Sequence, residues 1–489
     1  MSDIHSIDEA SRQITALTHT TAGVAREAPP PSSAGASAGH RVSELSAGLA
    51  GSEILKIGAE VRAIRAGGTQ VCNLTVGDFD PAEFRIPRYL EDRIEEALRR
   101  GETNYPPSDG TMPLRQAVIT FYETWLGLRY PLESVLVTSG SRPGIYATFR
   151  TLVDPGDRVV YGVPSWNNNH YCYLTGATGV PVVCGNDAAF LPTAVLLAKA
   201  VRGARLLVLN SPSNPTGTAF DEETLTAICD LVLEENQRRG ADEPPLYVLY
   251  DQVYWMLTFG DTVHVNPVSL RPEMAAYTIF VDGISKAFAA TGVRVGWVVG
   301  PADVIRPMSS LIGHVGAWAP RAEQAATAQL LGATEEVTAY RDELTSGLRR
   351  RLDALHDGLH GLRRAGLPVD SFSPMGAIYL SARFALNGMR TPDGVLLRNN
   401  EDIRRYLLRS AGLAAVPFQA FGATEETGWF RLSVGAVSLE EIEQVLPRVR
   451  VAVEGMTWPD DGVVSSVTES QEHGINAGAA LLPELPTQL

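Results

Sequence analysis

The segment Val281-Asp282-Gly283-Ile284-Ser285-Lys286 ends an apolar run that starts at Thr278, and Gly292-Val293-Arg294-Val295-Gly296-Trp297 follows it. The apolar residues before Lys286 predict a strand that delivers this lysine into a loop. A lysine at a strand end can form a Schiff base with an aldehyde. A nearby arginine such as Arg294 can bind a phosphate with its planar fork. The alternative for this pair is a surface lysine and a structural arginine.

Similar strand-like runs occur on both sides of this segment. Runs with the length and the branched or aromatic content of strands occupy residues 134–138, 158–161, 180–184, 205–210, 246–250, 278–281 and 297–300. Helical patterns separate several of them, for example residues 221–238. We therefore predict an α/β fold with a mostly parallel, seven-stranded sheet covered by helices. Ligands of such sheets bind at the carboxyl ends of the strands.

The pattern changes after Gly300. Long helical stretches at 322–330 and 335–365 lead to strand-like runs at 377–383 and 429–434, which predicts a smaller α+β domain. An amphipathic helix is also predicted at 52–65, ahead of the sheet, and we expect it to pack with the small domain. Ser52 is its expected N-cap, and its expected apolar side consists of Ile54, Leu55, Ile57, Val61 and Ile64.

Four further strand ends carry polar or aromatic residues suited to a ligand. The rigid loop N-S-P-S-N-P-T-G (210–217) can present the amide of Asn214, and an ordinary proline-rich turn is the alternative. Asp251 ends an apolar run, where a cationic ligand group would relieve the cost of burying its carboxylate, and Tyr254 follows three residues later. The alternative for Asp251 is a helix N-cap.

The other two strand ends suit a phosphate and a flat ring. The turn formed by Ser139, Gly140 and Ser141 opens a helical stretch, and helix N-termini bind phosphate. Trp166 follows another strand and could cover a planar cofactor, although a lone tryptophan is more often part of a core. A lysine nucleophile, a carboxylate, an aromatic plate, polar donors and a phosphate cradle are together what pyridoxal 5′-phosphate (PLP) needs.

Composition narrows the function further. The chain has 489 residues and a formal net charge of −15, which argues against a nucleic-acid partner. No apolar run is long enough for a membrane span, and the first ten residues lack a signal-peptide pattern. The cysteines form no C-x-x-C pair, so we expect no metal site and predict reduced thiols in a cytoplasmic protein. They are Cys72, Cys172, Cys184 and Cys229.

The motifs N-P-T-G, D-x-V-Y and S-K-x7-R-x-G-W occur in one order at 214–217, 251–254 and 285–297. Their order and spacing resemble the fold-type I PLP enzymes, specifically the class I/II aminotransferases of the aspartate aminotransferase branch. The resemblance covers roughly residues 52–450. It implies that Lys286 is the Schiff-base lysine and proton shuttle, and that Asp251 pairs with the pyridine nitrogen. Asn214 and Tyr254 would bind the ring hydroxyl, and Trp166 would stack on the ring.

The resemblance also implies further contacts. The phosphate would be held by Ser139, Gly140, Ser141 and Arg294. Gly283 stands where some branches have a phosphate-binding serine, so that contact is either missing or supplied by Ser285.

The resemblance assigns the substrate side and the partner as well. Arg431 would clamp the substrate α-carboxylate, with Gly77, Trp166 and Asn214 also at the substrate. Tyr105 would reach the phosphate of a neighbouring subunit in a homodimer with a shared active site. The sequence presents no clear second arginine for a substrate side-chain carboxylate.

These inferences predict five regions. They are a disordered extension (1–45), an arm and helix that pack with the small domain (46–100), a large PLP-binding domain (101–320), a small domain (321–455) and a flexible tail (456–489). The predicted function is transamination of an amino acid by a ping-pong mechanism. The alternative is a PLP-dependent γ-elimination, replacement or carbon–carbon bond-forming enzyme of specialised metabolism, with S-adenosylmethionine as one candidate substrate. The sequence leaves the donor and the acceptor open.

Overall fold

The computed structural model describes residues 42–49, 51, 53–241 and 243–459. The predicted disordered extension and flexible tail therefore lie almost entirely outside the described residues, and so does the predicted N-cap Ser52. The chain divides into one unit over residues 1–50 and a second over residues 51–489. In the first unit, the short helix α1 (Glu44–Gly48) begins after Ser43, whose hydroxyl accepts a hydrogen bond from the Ser46 amide.

The second unit contains the strands. They are β1 (Cys72–Asn73), β2 (Val135–Thr138), β3 (Arg158–Val163), β4 (Thr178–Val183), β5 (Ala204–Asn210), β6 (Tyr247–Asp251), β7 (Thr278–Gly283), β8 (Gly296–Val299), β9 (Val369–Ser371), β10 (Tyr379–Phe384), β11 (Leu413–Ala414), β12 (Val416–Pro417) and β13 (Trp429–Ser433).

The α-helices of this unit connect the strands, some of them singly and others in succession. They are α2 (Glu53–Ala66), α3 (Arg88–Arg99), α4 (Met112–Leu126), α5 (Ser141–Leu152), α6 (Asn168–Thr175), α7 (Ala194–Leu197), α8 (Glu222–Arg239), α9 (Pro267–Leu270), α10 (Ile284–Ala287), α11 (Ala302–Val315), α12 (Arg321–Gly332), α13 (Thr334–Arg364), α14 (Asn400–Ser410) and α15 (Leu439–Glu454).

A seven-stranded sheet in the order β2-β8-β7-β6-β5-β3-β4 forms the centre of this unit. Its pairs are parallel except that β8 runs antiparallel to both of its neighbours. The predicted mostly parallel, seven-stranded sheet is confirmed, and each predicted strand end lies within two residues of the observed one. These strands are rich in branched and aromatic side chains because both faces of the sheet are covered.

Both faces of the sheet are buried because successive side chains of a strand point in opposite directions. Leu249 and Val281 belong to a core shared with helix residues such as Phe149. Val248 and Phe280 belong to a second core, on the opposite face. This alternation means that neighbouring residues at a strand end serve different sides of the sheet.

The helices also follow their sequence signals. The predicted helix at 221–238 is α8, and its N-cap is Asp221, whose carboxylate accepts a hydrogen bond of 2.7 Å from the Thr224 amide. The predicted helices at 322–330 and 335–365 correspond to α12 and α13. The core side of α13 is a leucine stripe with helical period, formed by Leu344, Leu348, Leu352, Leu355, Leu359 and Leu362.

A smaller antiparallel sheet in the order β12-β13-β10-β9 follows α13 in the chain, and β1 pairs with β11 in a separate two-stranded ladder. Helix α2 packs on residues of this region, since Ile57 and Val61 share a core with Phe418 and Trp429. The prediction that Leu55 belongs to this apolar side is wrong, because Leu55 is 71% exposed. Leu55 lies off the stripe formed by Ile57, Val61 and Ile64 at helical spacing.

The described residues contain no helix that is both long enough and apolar enough to cross a membrane. All four cysteines are buried, and none of them forms a disulfide.

Removal of the Phe430 ring should destabilise the small sheet that carries Arg431. Phe430 is 0% exposed and contacts the edge of Phe384, with ring centroids 5.8 Å apart. We expect Phe430→Ala to lower the free energy of unfolding by about 3–5 kcal/mol, measured by denaturant unfolding. Val451→Ala is the control, since Val451 is 70% exposed, and equal losses in both variants would contradict the assignment of Phe430 to the core.

Candidate active site

A cavity of about 540 Å³ opens at the carboxyl ends of the central strands, between that sheet and residues of the smaller one. The residues that line it come from positions up to several hundred residues apart in the chain. The residues predicted from the sequence that line it are Gly77, Ser141, Trp166, Asn214, Asp251, Tyr254, Ser285, Lys286, Arg294 and Arg431.

Lys286 lies on the one-turn helix α10, directly after β7. Its Nζ donates a hydrogen bond of 2.7 Å to the Gly77 carbonyl oxygen. Burial lowers the pKa of Lys286 to about 8, and the nearby Asp78 carboxylate partly opposes this by favouring the charged amine. Asp78 is itself held by the Thr291 hydroxyl at 2.6 Å. The amine is therefore much closer to neutral at physiological pH than an exposed lysine.

Asp251 ends β6, level with Asn210 of β5 and Val281 of β7. Burial raises the pKa of Asp251 to about 7, although the Val253 amide at 3.2 Å and the charge of Lys286 both favour the carboxylate. No described arginine or lysine forms a direct ion pair with Asp251 within 4 Å. A cationic ligand group would therefore lower the pKa of Asp251 and stabilise its charged form.

Arg431 lies on β13 and is 2% exposed. Its Nη2 donates 2.6 Å to the Thr75 carbonyl oxygen, and its Nη1 donates 3.1 Å to the Asn214 side-chain oxygen. Its Nε is buried without a hydrogen-bond partner among the described residues. A buried cation with a free donor is costly unless a ligand completes it, and a carboxylate suits a guanidinium.

The hydroxyls of Tyr254 and Tyr379 lie 2.8 Å apart, and both side chains are buried. Tyr379 also lies under the Arg431 guanidinium, whose carbon is 4.7 Å from the ring centroid. The sequence analysis missed Tyr379. No local motif marks it, because it reaches the cavity only through the antiparallel pairing of β10 with β13.

Arg294 is held at the start of α5, although only Ser141 of the three turn residues lines the cavity. Its Nη2 donates 2.9 Å to the Ser139 carbonyl oxygen, and its Nη1 donates 2.7 Å to the Thr291 carbonyl oxygen. Gly140 has a φ of 77°, and a Cβ atom there would lie 2.2 Å from Arg294 Nη2. Glycine is therefore required for the guanidinium to reach this helix N-terminus.

Close packing also explains why position 283 is a glycine. A Cβ atom at this position would lie 2.7 Å from the Gly296 Cα, on the paired strand β8, and 2.8 Å from the carbonyl oxygen of Val295, just before that strand. A serine would not fit there without movement of the backbone. Ser285 lines the cavity, two residues further on.

Trp166 lies on one wall of the cavity, and the polar residues Asn167 and Asn168 follow it in the lining. The Arg142 guanidinium carbon lies 4.5 Å from the centroid of the Trp166 ring. No carboxylate of the described residues pairs with Arg142. The sequence analysis missed Arg142, the third arginine of the cavity lining, because its position after Ser141 resembles an ordinary first-turn helix residue.

Tyr105 does not line this cavity. It is 82% exposed, and its ring contacts Trp318 edge-on with centroids 5.5 Å apart. Its predicted contact with a neighbouring subunit stays a prediction.

Comparison with known proteins identifies the family of this chain. The family model described as aminotransferase class I and II matches residues 69–449. The aspartate aminotransferase of Rhizobium meliloti (strain 1021) is 30% identical over 409 residues, which cover 83% of this chain and 94% of that protein. A probable aspartate/prephenate aminotransferase of Rhizobium leguminosarum bv. phaseoli is 30% identical over 402 residues, covering 82% and 95%. The crystal structure of the Rhizobium meliloti aspartate aminotransferase superposes with a TM-score of 0.77 at 28% identity, covering 85% of this chain and 100% of that one.

The chain belongs to the class I and II aminotransferase family and has its fold-type I architecture. It is an aminotransferase enzyme, as the sequence predicts, and the similar proteins favour transamination over the elimination, replacement or bond-forming alternative.

The lowered pKa of Lys286 can be measured directly, since the chain has only three lysines. After reductive ¹³C-methylation of the cofactor-free protein, we expect the Lys286 signal to titrate near pH 8. Asp78→Asn should lower this value further, because it removes the carboxylate that favours the charged amine.

The exposed lysines Lys56 and Lys199 are internal controls, and Lys286→Arg identifies the signal. A Lys286 signal that titrates together with theirs, or that moves upward in Asp78→Asn, would show the electrostatic account of the site to be wrong.

Proposed function

We propose that this enzyme binds PLP through a Schiff base on Lys286 and transfers the amino group of an amino acid to a keto acid by a ping-pong mechanism. The observation that carries the proposal is the joint presence, in one cavity, of Lys286, Asp251 and Arg431. These are an amine with a lowered pKa, a carboxylate that needs a cation, and a guanidinium with a free donor.

The cavity residues fit PLP group by group. A protonated pyridine nitrogen would supply the cation that the buried carboxylate of Asp251 lacks. The Asn214 oxygen accepts from Arg431, which leaves its amide N–H₂ for the ring hydroxyl beside Tyr254. The ring would lie against Trp166. The phosphate would be held at the N-terminus of α5 by the turn residues Ser139, Gly140 and Ser141 together with Ser285 and Arg294.

The protein's own groups then act around the substrate. When bound, PLP supplies an electron-withdrawing ring that stabilises negative charge at the substrate Cα. The substrate amine would take the place of Lys286 Nζ on the cofactor aldehyde, and the freed Nζ would remove the Cα proton, since a pKa near neutral pH suits a general base. Asp251 keeps the proton on the pyridine nitrogen. Arg431 orients the α-carboxylate through its free donor, with Gly77 and Asn214 beside it.

Arg142 supports a donor with an acidic side chain. Its guanidinium lies in the cavity on the Trp166 ring, without a carboxylate partner among the described residues. A bidentate arginine contact suits a second carboxylate. The similar proteins include aspartate aminotransferases, so we propose an acidic amino acid as the donor.

The proposed assembly is a homodimer with a shared site. Tyr105 is exposed and lies outside the cavity of its own chain, which supports its proposed contact with the phosphate in a neighbouring copy. The cytoplasmic location stays a prediction.

The lysine assignment predicts the outcome of borohydride reduction. Wild-type protein incubated with PLP should absorb visible light, and reduction followed by peptide mapping should place one pyridoxyl group on Lys286. Lys286→Ala should lose both signals, whereas Lys199→Ala should keep them. An adduct that survives in Lys286→Ala would mean that another lysine holds the cofactor. Release of a leaving group without formation of pyridoxamine phosphate would instead support elimination or replacement.

The donor assignment predicts a selective loss of activity. We expect Arg142→Ala to lower kcat/KM for aspartate by about 10- to 100-fold, as for a lost charged hydrogen bond. The value for alanine should change much less. The control is Arg150→Ala, an exposed arginine of the same helix that does not line the cavity. Equal losses for both donors would remove Arg142 from side-chain recognition.

A further inference from the structure

A buried hydrogen-bond network lies on the opposite face of the sheet, behind the active site. We call it the back-face network, and its members are Tyr122, Gln252, Trp255, Asp282 and Trp297. Every member is at most 7% exposed. Tyr122 comes from α4, and the others lie at or near the site-side ends of β6, β7 and β8.

The Tyr122 hydroxyl is the centre of this network. It accepts hydrogen bonds from Gln252 Nε2 at 3.2 Å and from Trp297 Nε1 at 3.3 Å. Its oxygen also lies 3.2 Å from Asp282 Oδ2. A tyrosine hydroxyl has one proton and two lone pairs, and both nitrogens are donors. The single O–H of Tyr122 is therefore donated to Asp282.

Asp282 receives only donors. Its Oδ2 also accepts from Trp255 Nε1 at 2.9 Å, and its Oδ1 accepts from the Gly283 amide at 2.7 Å. No lysine or arginine contacts it among the described residues. Burial raises the pKa of Asp282 to about 8 although these donors oppose the shift. Without the Tyr122 hydroxyl, the buried Asp282 Oδ2 would lose one of its donors, and the N–H groups of Gln252 and Trp297 would lose their acceptor.

The network contacts the same segments that carry the site. Gln252 follows Asp251, Trp255 follows Tyr254, and Asp282 precedes Lys286 by four residues, with Trp297 three residues after Arg294. Adjacent residues of an extended strand point to opposite faces, which places Asp251 in the cavity and Gln252 in the back-face network. The other pairs are close in sequence, so the same segments carry site residues and network residues.

We propose that Tyr122 is a positioning residue for the transamination reaction, whose hydroxyl fixes the segments of Asp251, Tyr254 and Lys286 relative to one another from the back of the sheet. The proposal rests on the proposed roles of those residues. Misplacement of a reacting group by about 1 Å can cost two orders of magnitude in rate, so a small shift of these segments is measurable.

Tyr122→Phe tests this, since it removes only the hydroxyl. Tyr130→Phe is a matched control, because the Tyr130 ring also contacts Phe280 edge-on, at 6.4 Å against 6.2 Å for Tyr122. The Tyr130 hydroxyl is buried without a partner among the described residues. We expect Tyr122→Phe to lower kcat roughly 10-fold with little change in KM and to shift the pH at which the visible absorption of the PLP-loaded protein changes. Tyr130→Phe should do neither.

A double-mutant cycle with Gln252→Met gives a second test. Tyr122→Phe and Gln252→Met remove the same hydrogen bond, so their effects on kcat should be less than additive. Additive effects, or a lower melting temperature with unchanged kcat and absorption titration, would overturn the positioning role. If Tyr122→Phe does not fold, the absorption shift in Gln252→Met alone decides, and no shift counts against the proposal. A wild-type protein that neither colours with PLP nor transaminates would instead refute the proposed function.

Discussion

The parallel register of β5, β6 and β7 is the constraint on which the site depends. It places Asn210 level with Asp251, and Asp251 level with Val281, so the loops that follow these strands begin at one edge of the sheet. The side-chain Nδ2 of Asn210 donates a hydrogen bond of 2.8 Å to the Asp251 carbonyl oxygen, which joins the two loops where they begin. A slip of one residue in either ladder would turn Asp251 away from the cavity. Lys286 would likewise lose its approach to Gly77.

The electrostatics of the cavity follow from its composition, because its lining has fewer carboxylates than cationic side chains. Burial lowers the pKa of Lys286, and the charges of Arg431, Arg142 and Arg294 act in the same direction, while Asp78 opposes them. Burial also lowers the pKa of Arg294 and of Arg431. Such a cavity favours anionic ligand groups, because each one relieves repulsion among the cations. A phosphate and one or two carboxylates would therefore be attracted by all the cations of the cavity as well as by the residues that they contact.

Much of the fold could be predicted because local sequence patterns determine it. Short branched runs predicted the central strands, and polar residues at strand ends predicted Lys286 and Asp251 as neighbours. Arg431 was found only by resemblance, since nothing in W-F-R-L-S marks a ligand. Tyr379 and Arg142 were missed for different reasons. Tyr379 depends on strand pairing in the smaller sheet, whereas Arg142 depends on the direction of one long side chain. The exposure of Leu55 shows that an apolar residue near a helix stripe need not be part of the core.

The two faces of the sheet differ in how their polar groups are compensated. On the front, Lys286 and Asp251 lie in the cavity, where burial disfavours the charged form of each. On the back, Tyr122 and Asp282 are compensated by neutral donors within the core. The like charges of Lys286, Arg431, Arg142 and Arg294 repel one another in the cavity. Anchors on the back can hold these segments against that repulsion without occupying the cavity, because side chains alternate along a strand, so that Asp251 at the end of β6 is followed by Gln252 on the other face.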